Sequence, residues 1–199
     1  MVEHFPEEEG VPGSSPGLGT TNKHMAFLSP RQMIDELNIK KGSSIIDFGS
    51  GSGAYIYEAC RVNKINNHNG KILAVDIDKI KLDLIRDTAK VGGFIVETMV
   101  ANLENKLILP DYSADYIILA NTLHSIENKD LLISECSRIL APNGYLLFVE
   151  WENKTSILGP QIKDRITKED SLKLLRKNGF EFKKELSAGD YHYAFIFSK

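Results

Sequence analysis

The chain has 199 residues, 42% of them hydrophobic, with 24 Lys and Arg against 27 Asp and Glu, for a formal charge of -3. That length suits one domain with a real core of its own, and the near balance of charge leaves no electrostatic footprint for nucleic acid. The two cysteines, Cys60 and Cys136, fall inside helical patterns and outside any Cys/His spacing, which argues against a disulfide framework or a metal site and fits a reducing cytoplasm. No apolar run reaches the roughly 18–20 residues of a membrane span, and the first residues lack the charged-then-apolar build of a signal peptide.

Residues 1–24 crowd Pro, Gly, Ser and Thr behind an acidic run without any apolar period, and are expected to be a disordered tail, either a linker or the product of an upstream start, with Met25 opening the domain that runs from 25 to 199. Ser29 and Pro30 make an N-cap and first helical position, and Met33, Ile34 and Leu37 give the helix one apolar face before Lys41 and Gly42 end it. The most informative stretch follows. In IIDFGSGSGAY, residues 45–55, a short apolar run reaches Asp47 and then Gly49, Gly51 and Gly53, after which AYIYEACRV reads as a helix. Alternate glycines let a backbone turn sharply and approach a ligand, and the helix start adds its positive end.

From there apolar runs alternate with helical patterns in the rhythm of βαβ units. The runs are KILAV at 71–75, FIVETMV at 94–100, DYIILA at 115–120 and YLLFVE at 145–150. Between them a helix is expected to bury Ile80, Leu84, Ile85 and Ala89, and another to bury Leu132, Cys136, Ile139 and Leu140 before the turn APNG at 141–144. Thr167 and Asp170 form a capping box for a helix with Leu172 and Leu175 on its core face, ended by Gly179. FEFKKEL and HYAFIFS are joined by SAGDY, too short for a parallel crossover, so they are expected to pair antiparallel.

In an open α/β sheet, ligands bind beyond the C-terminal strand ends. Asp76 closes the second strand and can accept from both hydroxyls of a ribose, with Asp78 as the fallback or, alternatively, a helix N-cap. Asn102 follows the third strand, placed either to accept from an adenine amino group or to make a turn. Asn121, Thr122 and His124 follow the fourth, where a second substrate would enter, and His124 reads as a base or as a hydrogen-bonded wall.

Taken together, DFGSGSG, AVDID, LPDYSADYIILANTLHSI and RILAPNGYLLFVEW resemble the class I S-adenosylmethionine-dependent methyltransferases, in their small, insertion-poor form, over about residues 26–199. The resemblance implies a Rossmann-like α/β fold with a seven-stranded, mostly parallel sheet in the order 3-2-1-4-5-7-6 and an antiparallel last strand. It also implies that S-adenosyl-L-methionine is the cofactor. Asp47, Gly49, Gly51, Gly53 and Asn121 would hold its methionine part, Asp76 the ribose, and Asn102 with Leu103 the adenine, with Ile77 among the cofactor-binding residues. Asn102 departs from the Asp common in the family. A sulfonium methyl is already electrophilic, so alignment supplies much of the catalysis, roughly 7–11 kcal/mol in well-oriented reactions. His124, then Glu150, are the candidates to accept a proton from a hydroxyl or acidic carbon, and Trp151 is either a wall of the site or part of the core.

The expected partner is a small molecule. ANTL stands where amino-directed nucleic-acid methyltransferases carry N/D-P-P-Y/F, and two helix-buried cysteines cannot supply the thiolate cluster of arsenite methylation. Two other readings stay open. Gly49, Gly51 and Ala54 also satisfy G-x-G-x-x-A of an NAD-dependent oxidoreductase. A domain without a substrate cap could instead serve as a non-catalytic binding or activator subunit.

Overall fold

The computed structural model describes residues 26–63 and 70–199; the expected tail at 1–24 and Met25 lie outside them. The helices are α1 (Pro30–Glu36), α2 (Ala54–Asn63), α3 (Lys79–Val91), α4 (Lys129–Ile139) and α5 (Lys168–Lys177). The strands are β1 (Ile45–Phe48), β2 (Ile72–Asp76), β3 (Glu97–Val100), β4 (Ala114–Ala120), β5 (Leu140–Trp151), β6 (Glu181–Leu186) and β7 (His192–Ser198). The sheet order is β3-β2-β1-β4-β5-β7-β6. β7 runs antiparallel between β5 and β6, and the remaining pairings are parallel. Both the order and the C-terminal antiparallel pair are as expected from the sequence.

Helices cover both faces, so the central strands are apolar on both sides. Along β4, Tyr116, Ile118 and Ala120 point to the core under α1, α2 and α3, while Ala114, Ile117 and Leu119 point to the core under α4 and α5. β5 divides the same way, with Leu147 and Val149 on one side and Leu146 and Phe148 on the other. Cys60 and Cys136 are buried in α2 and α4. Burial pushes the Cys60 thiol up to about 11 and holds Cys136 above its ordinary value, so both are inert neutral thiols. Among the described residues no helix is long and apolar enough to cross a membrane.

Local expectations need four corrections. α3 buries Leu82, Ile85 and Ala89, while Ile80 and Leu84 face solvent, because the helix lies on the sheet by a face turned from the one the periodicity suggested. The third strand is Glu97–Val100 alone, since Leu73 to Asp76 of β2 offer partners only over that span. α1 stops at Glu36 with Leu37 as its cap, because Asn38 turns to φ +49 well before Gly42. Leu140 belongs to β5, pairing with Ala114, so the APNG turn is a kinked entry into the strand, with Asn143 at φ +62.

The N-cap half of the expected capping box on α5 forms, with the Asp170 N–H donating to Thr167 Oγ1 at 3.1 Å, while the return contact runs from that hydroxyl to Asp170 Oδ2 at 2.8 Å. A less visible device sets the entry to β1. Asn63, fully buried at the end of α2, accepts the N–H groups of Gly42 at 2.7 Å and Ser43 at 3.2 Å through Oδ1, and donates from Nδ2 to Ser43 O at 2.9 Å. These bonds lock the turn that starts the first strand. Asn63→Ala strands two amide donors and a carbonyl, so it is expected to cost about 2–4 kcal/mol in urea unfolding; an unchanged midpoint would show that the turn holds itself.

Candidate functional site

β1 and β4 lie side by side although consecutive strands leave them in opposite directions, which makes their C-terminal ends the topological switch point where such sheets form a crevice. The β1–α2 loop and the chain after β4 meet there without a gap. A Cβ on Gly49, at φ +73, would sit 2.2 Å from Thr122 Oγ1, so only glycine fits. The Thr122 hydroxyl lies within reach of Phe48 O at 3.2 Å and Ala120 O at 3.1 Å, tying the two strand ends together. Gly53, at φ +83, similarly lets the loop close on Ile85 of α3.

Asp76, the last residue of β2, holds this loop from the other side. The Gly51 N–H donates to its Oδ2 at 2.8 Å and the Asp78 N–H to its Oδ1 at 2.9 Å. Each carboxylate oxygen keeps a lone pair for a ligand hydroxyl. Asp78 is the N-cap of α3, accepting from Ile80 and Lys81, so its Oδ1 is committed to the helix. A cleft of about 350 Å³ opens beside Asp76, walled by Gly49, Gly51, Ile77, Asn102, Leu103 and Asn121. Ile77 is 68% exposed, an apolar surface offered to whatever fills the cleft. Asn102 makes a turn: its Oδ1 accepts the Glu104 N–H at 2.9 Å, which leaves one lone pair and the amide group free.

The polar atoms left without partners lie on the same rim. Among the described residues, the buried side-chain atoms lacking a hydrogen bond are Asp47 Oδ2, Tyr55 Oη, Asn121 Oδ1 and both ring nitrogens of His192. Asp47 lies near the end of β1, Tyr55 in the first turn of α2, Asn121 after β4 and His192 at the start of β7, all on the rim formed by the C-terminal ends of the parallel strands. Burial, and then the charge of Asp76, pushes the Asp47 carboxyl up to about 8. Burial and the nearby Asp47 hold the Tyr55 hydroxyl above its ordinary range. Asn121 itself is at φ +53, unusual for a residue with a Cβ. A buried carboxylate oxygen and a buried amide oxygen beside a glycine cradle call for a ligand that brings donors and positive charge.

His124 and Glu150 are brought together. Glu150, at the end of β5, is 1% exposed; its Oε1 accepts the His124 N–H at 3.2 Å, and its Oε2 lies 3.1 Å from His124 Nδ1 and accepts the Trp151 N–H at 3.2 Å. A carboxylate facing Nδ1 selects the tautomer protonated there and leaves Nε2 to act on a substrate. His124 borders a second cleft, which shares Ser125 and Ile126 with the first. Trp151 does not present a bare face. Its ring meets His192 at 4.0 Å between centroids, carries the Arg165 guanidinium 5.6 Å from its centre, and presses on Gly159, where a Cβ would come within 2.5 Å.

Sequence reading missed Arg165, His192, Tyr55 and the fixing role of Thr122. Arg165 is buried and spends five N–H donors on Pro160 O, Glu152 O, Lys154 O, Ser156 Oγ and Leu158 O, folding the segment after β5 into one ordered loop beside the second cleft. No local pattern announces such a residue. Burial among loop carbonyls is the only signal, and it exists only in three dimensions.

Residues 39–189 match a family model described as a methyltransferase domain. The chain is 29% identical over 128 residues to the ubiquinone/menaquinone biosynthesis C-methyltransferase UbiE of Hahella chejuensis, covering 63% of this chain and 50% of that one. It is 30% identical over 127 residues to the protein of the same name from Bordetella avium, covering 64% and 48%. The chain thus spans about half the length of these curated relatives. A SAM-dependent methyltransferase from Aquifex aeolicus superposes with a TM-score of 0.76 at 22% identity, covering 86% of this chain and 90% of that one, a likeness of fold. S-adenosyl-L-methionine, the cofactor of this family, carries an ammonium and a sulfonium, and the orphaned acceptors of Asp47 and Asn121 beside the glycine cradle fit such a molecule. The chain belongs to the class I S-adenosylmethionine-dependent methyltransferases.

Proposed function

We propose that this protein transfers a methyl group from S-adenosyl-L-methionine to a small acceptor whose carbon or oxygen nucleophile gives up a proton to His124. The observation that carries the reading is the buried Glu150 carboxylate fixed against His124 Nδ1, where His124 borders the second cleft that shares Ser125 and Ile126 with the cofactor cleft. An amine nucleophile needs no such base once neutral, whereas a hydroxyl or an enolisable carbon gains from one. The relatives named C-methyltransferases favour a carbon acceptor. The inert, buried thiols support a cytoplasmic setting.

When bound, the cofactor supplies an electrophilic methyl group, and the chain's own residues then have to orient and deprotonate. Asp76 would accept from the ribose hydroxyls through its remaining lone pairs. Asp47, Asn121 and the loop glycines would hold the methionine portion, with Ile77, Asn102 and Leu103 around the adenine. His124 takes the acceptor's proton at Nε2, and Glu150 stabilises the imidazolium that results. The ordered loop held by Arg165 walls the acceptor side.

The ribose role of Asp76 predicts that Asp76→Ala abolishes the thermal shift given by S-adenosylhomocysteine; a shift equal to that of the parent would move the sugar contact elsewhere. Asp47 gives a pH signature. Its unfolded value is near 3.8 and its folded value about 8, so ionisation opposes folding: the penalty is absent below about pH 4, grows with rising pH and levels off above about 8. Asp47→Asn should therefore raise the melting temperature at pH 7 by several degrees, at about 2–4 °C per kcal/mol, with a gain that shrinks toward pH 4. The same variant should bind S-adenosylmethionine about tenfold or more weakly, because a cation stabilises the ionised carboxylate that Asn lacks. On an acceptor found by screening phenolic and enolisable compounds for S-adenosylhomocysteine release, His124→Ala should lower kcat by about a hundredfold or more. Unchanged rates across pH would remove His124 from the mechanism.

A further inference from the structure

We propose that Glu104 is a positioning residue that carries cofactor occupancy from the adenine side of the cleft to the wall shared with the acceptor cleft; this rests on the cofactor reading above. Glu104 lies two residues beyond Asn102 in the loop after β3 and borders the cofactor cleft. Its Oε1 accepts the Glu127 N–H at 2.7 Å and its Oε2 accepts the Asn128 N–H at 3.1 Å. One planar carboxylate thus holds two consecutive amides across the mouth of the cleft. Those amides follow directly on Ser125 and Ile126, which border both clefts, and on His124.

Both ends of this clamp are set by other contacts. The Glu104 N–H donates to Asn102 Oδ1 at 2.9 Å, so the turn that shapes the adenine side also aims the carboxylate. At the far end Asn128 caps α4, accepting the Leu131 N–H at 3.1 Å, which places the negative charge of Glu104 at the positive end of an 11-residue helix. The two amide donors, with Lys129 adding a smaller pull, keep the Glu104 carboxyl below its usual range and hence ionised at neutral pH. A ligand that orders residues 102–103 orders Glu104, and Glu104 in turn fixes 127–128 and the segment before them. The coupling has to work in reverse too, so an acceptor that orders that segment tightens the adenine side.

The substitution Glu104→Gln preserves shape but leaves one oxygen where there were two, and turns an NH₂ toward a backbone donor. Glu104 is only partly buried, so the fold tolerates the change. The experiment is residue-resolved amide exchange, read by NMR, on the full chain with and without S-adenosylhomocysteine, alongside calorimetric affinity. In the parent, the ligand should slow exchange at residues 102–104 and also at Glu127 and Asn128. In the Gln variant exchange at 127–128 should be faster without ligand, and saturating ligand should still protect 102–104 while no longer protecting 127–128. Its affinity should be about threefold or more weaker, the low end of what one net hydrogen bond contributes. Equal protection of 127–128 in parent and variant would overturn the proposal, as would a parent in which the ligand protects 102–104 alone. A parent that binds no S-adenosylhomocysteine would refute the cofactor reading itself, and this proposal with it.

Discussion

The close contact of Gly49 with Thr122 is the constraint on which the rest of the site depends. β1 and β4 can end side by side, with their following segments diverging, only if the β1–α2 loop lies flat on the chain leaving β4, and the 2.2 Å between a hypothetical Cβ and Thr122 Oγ1 shows how little room is left. With that contact made, Gly51 N–H reaches Asp76, and the loop is held between two strand ends on either side of β1. The cleft is the space those three anchors leave. The crevice thus follows from sheet topology, with the side chains around it refining a space that the backbone already forms.

Electrostatics at this rim are arranged for a ligand and at the expense of the free protein. Among the described residues, other buried side-chain polar groups are satisfied: Asn63 meets two amides and a carbonyl, and Arg165 meets five oxygens. At the rim Asp47, Tyr55, Asn121 and His192 retain unmatched buried atoms. Burial raises the Asp47 carboxyl and lowers the His192 imidazole below its ordinary range, so both favour the neutral form in the free chain. A cation placed beside Asp47 would remove the first of these costs and release a proton. Concentrating unmatched groups in one place while satisfying the rest is the usual mark of a site under functional demand.

Much of the fold could be read from the sequence because the relevant signals are local and redundant. IIDFGSGSGAY carries a buried strand, a glycine loop and a helix start in consecutive residues, and SAGDY is too short to join anything but an antiparallel pair. What stayed hidden depends on how elements face one another. Ile80 and Leu84 fit a helical stripe as well as Leu82 and Ile85 do, and only the rotation of α3 on the sheet decides between them. FIVETMV is apolar enough for a longer strand, but an edge strand extends only as far as β2 provides partners. At the rim, Asp76, His124 and Glu150 could be singled out because they stand at or just after strand ends; Arg165 and His192 could not, since a loop arginine and a strand-entry histidine look like surface residues until their neighbours are known. Asn102 showed both of its faces at once, a turn former that still borders the cleft.

The most direct measurement of the central claim, that an adenosyl cofactor sits between the glycine loop and the second strand's acid, is isothermal titration calorimetry of the unaltered protein with S-adenosylhomocysteine and, separately, with NAD. The account predicts saturable one-to-one binding of the first and no heat from the second. A folded protein that gives no heat with S-adenosylhomocysteine, or that binds NAD in its place, would contradict it.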